Sequence, residues 1–133
     1  MNALIYPMAM HLALAAGLYV LLTLARAPAI WGLGRNPDGS NPYASIERRI
    51  SANLSNQFEW PLFFHLACLM LIQQASLDIK QWALAWLFVG GRLLHSLVQI
   101  LTSNVRLRGV VFTINFLAVL GMWVLLVLNA GQH

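Results

Sequence analysis

The chain has 133 residues, of which 59% are apolar and only 9% are charged, and its mean hydropathy is +0.69. Since a soluble domain typically has about 25% charged residues, this composition argues against a soluble globular protein and against intrinsic disorder. The net charge is +4, seven of the eight cations are arginines, and six of these lie between apolar runs. This distribution is typical of membrane topology, so we expect no nucleic-acid partner. The single cysteine, Cys68, excludes a multi-cysteine metal site, and we expect no metal.

Four apolar runs predict an all-α integral membrane protein with a four-helix transmembrane bundle. Three runs reach the roughly 20 residues that a span needs, and the second does so if its helix begins near residues 50–56. The predicted spans cover about residues 5–26, 47–75, 80–103 and 106–129 of a single domain, 1–133. The first span lacks the preceding positive charge of a secretory signal, and we interpret it as retained. Residues 27–46, which hold three prolines and three glycines, are predicted to form a loop.

The arginines predict the orientation of this bundle. Six of them lie at the first and third connectors between spans: Arg26, Arg35, Arg48, Arg49, Arg106 and Arg108. The positive-inside rule places both connectors in the cytoplasm, so both termini are expected on the outer side of the membrane.

Polar side chains within the apolar runs mark a candidate site, because charges in a span are costly and usually face a bundle interior or a watery cavity. These residues are Asn53, Asn56, Gln57, Glu59, Arg92, His95 and Gln99, with Arg49 and Arg108 at the helix ends. At about 1.5 Å per residue, Glu59 and Gln99 both lie roughly 28 Å from the outer connector. Helical spacing also places Arg92, His95 and Gln99 on one face. The pattern predicts a cationic cavity open to the cytoplasm, suited to a polar anionic ligand beside an apolar one.

The same residues fit a structural interpretation. Glu59 and Arg92 would then form an ion pair between helices, and the amides would join helices through hydrogen bonds worth about 0.6 kcal/mol each. His11, His65 and Cys68 lie in apolar surroundings, and we interpret them as packing residues. No standard catalytic motif is present, so a nucleophile would have to come with the substrate.

Two segments, NQFEWPLFFHLACLM (56–70) and GRLLHSLVQILTSNVRLRGVVF (91–112), resemble the MAPEG family, the membrane-associated proteins in eicosanoid and glutathione metabolism. The resemblance covers nearly the whole chain and is closest to the bacterial branch. It implies a homotrimer in a bacterial inner membrane, with both termini on the periplasmic side. It also implies glutathione bound between neighbouring subunits, near the cytoplasmic side, together with a lipophilic small molecule.

By this resemblance, Asn56 and Glu59 would contact the peptide part of glutathione. Arg92 would pair with Glu59 or with a glutathione carboxylate, and Arg108 would lie by the sulfur as the catalytic residue. The set of candidate glutathione-binding residues is Arg49, Asn53, Asn56, Glu59, Arg92, His95 and Gln99. The implied activity is that of a glutathione-dependent transferase or peroxidase acting on lipophilic electrophiles.

Three positions depart from the glutathione-using members of the family. Ala52 stands where those members have an arginine, and Gln99 and Phe112 stand where they have tyrosines. Arg48 or Arg49 would then replace the missing cation, or both would serve topology alone. The alternative function is that of a non-catalytic protein of the same fold that binds a lipid or lipophile. A third hypothesis is a small proton-coupled transporter built around Glu59.

Overall fold

The structure is a computed structural model that describes residues 3–75 and 77–132. The described part is helical, which confirms the predicted all-α class. Its helices are α1 (Ile5–Trp31), α2 (Ala44–Asn56), α3 (Pro61–Gln73), α4 (Ile79–Leu101) and α5 (Val105–Ala130). Of these, α1, α4 and α5 are long and apolar enough to cross a membrane.

The second predicted span is made of two helices, because a turn at residues 57–60 separates α2 from α3. Each of these helices has 13 residues. The cause is Pro61, which has no N–H for the carbonyl four residues earlier and is tolerated only in the first turn of a helix. The backbone N–H groups of Gln57, Phe58 and Glu59 instead donate to carbonyls three residues earlier. Helices α2 and α3 pack against successive parts of α1. Leu18 and Leu22 in the second half of α1 pack near α2, and Met8 in its first half packs near α3.

The irregular segment between α1 and α2 is shorter than the predicted loop of residues 27–46 and covers residues 32–43. Helix α1 continues to Trp31 because Pro28 lies in its last turn, where its missing N–H removes only one hydrogen bond. Gly32 ends the helix with φ of +73°, and its N–H donates to the Pro28 carbonyl at 3.1 Å. Glycine adopts this left-handed conformation at little cost and commonly ends a helix. The proline and glycine content therefore predicted a longer loop than the structure has.

Polar contacts tie this segment to the helices. Arg26 Nε donates to Glu47 Oε1 at 2.7 Å, which joins the end of α1 to the start of α2. Within the loop, Asp38 accepts hydrogen bonds from the Ser40 hydroxyl and backbone N–H, and these bonds hold the pKa of the Asp38 carboxyl below its ordinary value. The start of α2 is therefore fixed against the end of α1.

The two arginine-rich connectors lie at the same end of the bundle. Ile50 near the start of α2 and Ile100 near the end of α4 belong to one apolar cluster with the second half of α1. Arg49 Nη1 also donates to the Ile100 carbonyl at 3.4 Å. At the other end, a larger apolar cluster joins α3, the first half of α4 and the second half of α5. The assignment of the connector end to the cytoplasm stays a prediction.

Helices α4 and α5 pack as an antiparallel pair around a close approach in mid-membrane. Gln81 near the start of α4 donates from Nε2 to the Met122 carbonyl of α5 at 3.1 Å. Ten residues further along α4, Gly91 faces the fully buried Asn115 side chain, and a Cβ at Gly91 would collide with its amide oxygen. The neighbouring Gly90 has open space at the same position. Gly91 thus sets the separation of α4 from α5.

We predict that Gly91→Ala lowers the stability of the protein by about 1–3 kcal/mol, because the added methyl group forces Asn115 and α5 away from α4. The matched control, Gly90→Ala, should leave stability unchanged or slightly higher. Thermal unfolding in detergent micelles, followed by circular dichroism, measures both. Asn115→Ala should partly rescue Gly91→Ala, and equal stability of the two glycine variants would contradict this packing.

Candidate functional site

Two adjoining cavities open at the connector end of the bundle. The first has a volume of about 420 Å³ and lies among α2, the end of α4 and the start of α5. The second has a volume of about 360 Å³ and lies between the α2–α3 unit, α4 and α5. Both are lined by Gln99, Val105 and Arg108, so we treat them as one site, the arginine cavity.

Arginine side chains dominate the walls of the first half of this cavity. Arg48, Arg49 and Arg108 line it, whereas none of its described lining residues is acidic. The sequence left open whether Arg48 or Arg49 turns toward the site, and in the structure both do. Uncompensated guanidinium groups around a concave surface attract anions, because each can hold a carboxylate through two parallel hydrogen bonds.

The second half of the arginine cavity has fewer charged side chains, with Arg108 as its only arginine among the described lining residues. Its walls include Asn56, His95 and Phe112, with the Arg108 side chain shared from the first half. His95 is 2% exposed, and its Nδ1 has no hydrogen-bond partner within the described residues. His95 Nδ1 is therefore available to a polar group of a ligand. The aromatic ring of Phe112 lies beside it, with its centroid 6.1 Å from that of the His95 ring.

Asn53 lies behind the cavity wall, where its side chain is fully buried. Its Nδ2 donates to Gln99 Oε1 at 2.7 Å, and its Oδ1 accepts from Ser96 Oγ at 2.7 Å and from Gln57 Nε2 at 3.1 Å. These bonds join α2 to α4, as the structural interpretation of the amides expected. Through them, Asn53 holds the Gln99 side chain at the cavity wall.

Arg92 is also buried behind the wall, with 1% of its surface exposed. Its Nε donates to Gln57 Oε1 at 3.3 Å, and its Nη2 has no partner among the described residues. The expected pairing of Arg92 with Glu59 is not formed, since the described ion pairs within 4 Å comprise only Arg26 with Glu47. The reason is the turn at residues 57–60, which leaves the Glu59 side chain exposed. A buried cation with no counter-ion within 4 Å is costly, and Arg92 lines neither half of the cavity.

Three polar residues that are not among the candidate glutathione-binding residues form a hydrogen-bonded chain with Arg92. His11 Nε2 lies 2.8 Å from Gln57 Oε1, and His11 Nδ1 lies 2.8 Å from His65 Nε2. The interpretation of His11 and His65 as isolated packing residues missed this pair, because they are 54 residues apart and no sequence period connects them. Cys68 is fully buried in the larger apolar cluster, as a packing residue would be.

The apolar helices and the buried polar interior define an all-α integral membrane protein with an arginine-lined site between its helices. The particular family follows from comparison: the MAPEG family model matches residues 4–128, so the chain belongs to the MAPEG family. This confirms the resemblance noted in the sequence. Membership supports a membrane function of the glutathione-related kind in general. No curated protein and no solved structure gave a match to this chain.

We predict different effects on stability when two neighbouring amide side chains of α2 are removed. Asn53→Ala should lower stability by about 1–3 kcal/mol, because it removes the buried side-chain partner of Gln99 and Ser96. Asn56→Ala should change stability by less than about 0.5 kcal/mol, because the half-buried Asn56 side chain makes no hydrogen bond within the described residues.

Denaturant unfolding in detergent micelles measures both amide variants, with wild type as reference. Equal losses of stability in the two variants would contradict the prediction, because they would show that Asn56, like Asn53, holds helices together.

Proposed function

We propose that the protein binds glutathione in the arginine cavity and promotes its reaction with lipophilic electrophiles, as a membrane-embedded transferase or peroxidase. The observation that carries this proposal is a cavity with three arginines and no acidic residue on the described walls of its first half. Glutathione has two carboxylates, which these three guanidinium groups would bind. The residues present therefore fit an anionic tripeptide.

Particular residues would hold the peptide. Arg48 and Arg49 lie on the first half of the cavity and would bind carboxylates. Asn56 lies on the second half, where its amide would pair with a peptide group. Glu59 is exposed and lines neither half. We therefore propose that the protein forms a homotrimer and that Glu59 contacts glutathione at a site between neighbouring subunits.

When bound, glutathione supplies the nucleophile as its thiolate. Arg108 is the proposed catalytic residue because it lies on the wall that both halves of the cavity share. Its guanidinium stays charged at physiological pH and lowers the pKa of a neighbouring thiol by stabilising the anion. Val105 and Phe112 give the same wall an apolar side, where a lipophilic electrophile would arrive from the bilayer.

The structure bears on the three departures from the glutathione-using members. Ala52, at the position of a missing arginine, lines the same half of the cavity as Arg48 and Arg49, so either arginine would replace that cation. Gln99 and Phe112 offer no phenolic hydroxyl, so in this protein Arg108 would stabilise the thiolate without a tyrosine.

The alternative is a non-catalytic protein that binds a lipid or lipophile. It is favoured by Gln99, whose amide oxygen is already hydrogen-bonded to Asn53, and by the apolar Phe112 at the wall. The transporter hypothesis gains no support, because Glu59 makes no ion pair and no side-chain hydrogen bond among the residues described.

We further propose that the protein lies in a bacterial inner membrane with the segments 32–43 and 102–104 in the cytoplasm. The arginine cavity would then open toward the compartment that holds reduced glutathione. Both termini would lie on the periplasmic side.

We predict that Arg108→Ala weakens glutathione binding at least tenfold, since it removes a charge-assisted contact worth about 1.5–3 kcal/mol. The control is Arg106→Ala, which removes the same charge from the same helical turn but from a residue that lines neither half of the cavity. Calorimetry on detergent-purified protein at millimolar glutathione measures both. No saturable binding to the wild type would end this proposal and leave the lipid-binding alternative.

We also predict a diagnostic pH dependence of turnover with a chlorodinitrobenzene electrophile. The rate should rise with pH as the thiol ionises, with a midpoint below the ordinary thiol value of about 8.5 in the wild type. In Arg108→Ala the midpoint should move up toward about 8.5, because the stabilising cation is gone. An unchanged midpoint in the variant would show that Arg108 does not stabilise the thiolate.

A further inference from the structure

A separate apolar groove opens between α1 and the α2–α3 unit. It has a volume of about 540 Å³, within the usual range of about 300–1,000 Å³ for small-molecule sites. Its walls include Leu12, Phe58 and Leu62, and its polar lining residues are His11, Gln57 and His65. We call it the histidine groove. It shares no lining residue with the arginine cavity.

The direction of the hydrogen bonds under this groove follows from Arg92. A guanidinium can only donate, so the Gln57 atom that lies 3.3 Å from Arg92 Nε is the amide oxygen. The other end of that amide, Nε2, donates to the backbone carbonyl and to Oδ1 of Asn53, at 3.1 Å each. The orientation of the Gln57 amide is therefore fixed at both ends.

The orientation of Gln57 then fixes both histidines. His11 Nε2, 2.8 Å from the Gln57 oxygen, must carry the hydrogen. Burying a second cation beside Arg92 is costly, so His11 is neutral and its Nδ1 is an acceptor. His65 Nε2, 2.8 Å from that Nδ1, must therefore donate. A neutral His65 is left with Nδ1 as a bare acceptor, and no hydrogen bond of the described residues uses it.

We infer that the histidine groove binds a lipophilic molecule with a hydroxyl group, such as a phenol or a long-chain alcohol. The hydroxyl would donate to His65 Nδ1, and the apolar body would lie against Leu12, Phe58 and Leu62. His65 is only half-buried, so a ligand in the groove reaches it.

Other occupants of the groove fit this acceptor less well. An acyl chain, or the apolar helix of a second copy of this chain, would leave the acceptor unpaired in apolar surroundings, which is unfavourable. An ionised carboxylate has no hydrogen to donate to it. The lining therefore favours a ligand that carries a hydrogen-bond donor, and a hydroxyl is the donor that a lipophilic molecule most cheaply carries into an apolar groove.

The test is a fluorescence titration of the full-length protein in nanodiscs, without glutathione, so its outcome is independent of the function proposed above. The probes are 2-naphthol and its methyl ether, which has the same ring system but no hydroxyl hydrogen. We expect 2-naphthol to bind at least about fivefold more tightly than the ether, the ratio expected for one net hydrogen bond. Empty nanodiscs correct for partitioning into lipid.

Two variants locate the binding and its cause. Leu62→Trp fills the groove and should abolish saturable binding of both probes. His65→Phe keeps an aromatic ring but removes the acceptor, so it should bind both probes with equal affinity. Equal affinities in the wild type, or a preference that survives in His65→Phe, would overturn the inference.

A measurement on the wild type alone avoids any folding defect of the variants. Nuclear magnetic resonance of ¹⁵N-histidine-labelled protein should show that both His11 and His65 carry their hydrogen on Nε2 and none on Nδ1. Addition of 2-naphthol should shift the His65 Nδ1 signal, whereas the methyl ether should not. A protonated His65 Nδ1, or no saturable binding because a second copy covers the groove, would refute the proposal.

Discussion

The pairing of buried polar groups inside an apolar bundle is the constraint on which the rest of this structure depends. Hydrocarbon supplies no hydrogen-bond partners, so a polar side chain in the interior is stabilised where it finds one on another helix. Two neighbouring amides of the second span meet this need. Asn53 binds Ser96 and Gln99 of α4, and Gln57 binds Arg92 of α4 and His11 of α1. The unit of α2 and α3 is thereby fixed to both of its neighbours.

The interruption at residues 57–60 follows from Pro61 and gives this network its position. Because the backbone tightens there, Gln57 stays buried at the end of α2 while Glu59 is exposed. The Gln57 amide lines the histidine groove and, through Asn53 and Gln99, connects it to the wall of the arginine cavity. One chain of hydrogen bonds therefore connects the two sites. The histidine groove is apolar and has a neutral acceptor, whereas the arginine cavity is polar and has excess positive charge.

The charges of the chain are separated in the same way. Arg48, Arg49 and Arg108 lie on the walls of one cavity, whereas Glu47 is paired with Arg26 outside it. Arg92 has no acidic partner within 4 Å in the described structure. These cations without acidic partners are the feature on which the proposed binding of an anionic ligand depends.

The sequence by itself determined the class of protein, the apolar segments of α1, α4 and α5 and the shared end of the arginine-rich connectors, because hydropathy and charge act along the chain. It did not determine the turn at residues 57–60 that divides the second predicted span into two helices. Helical period also placed His95 and Gln99 of α4, with Arg108 of α5, where they line one cavity. Tertiary structure alone decided that Arg92 meets Gln57 and that His11 meets His65, 54 residues away. The physical reason is that a period defines the face of a helix on which a side chain lies. Which group it meets depends on how the neighbouring helices are rotated, displaced and interrupted.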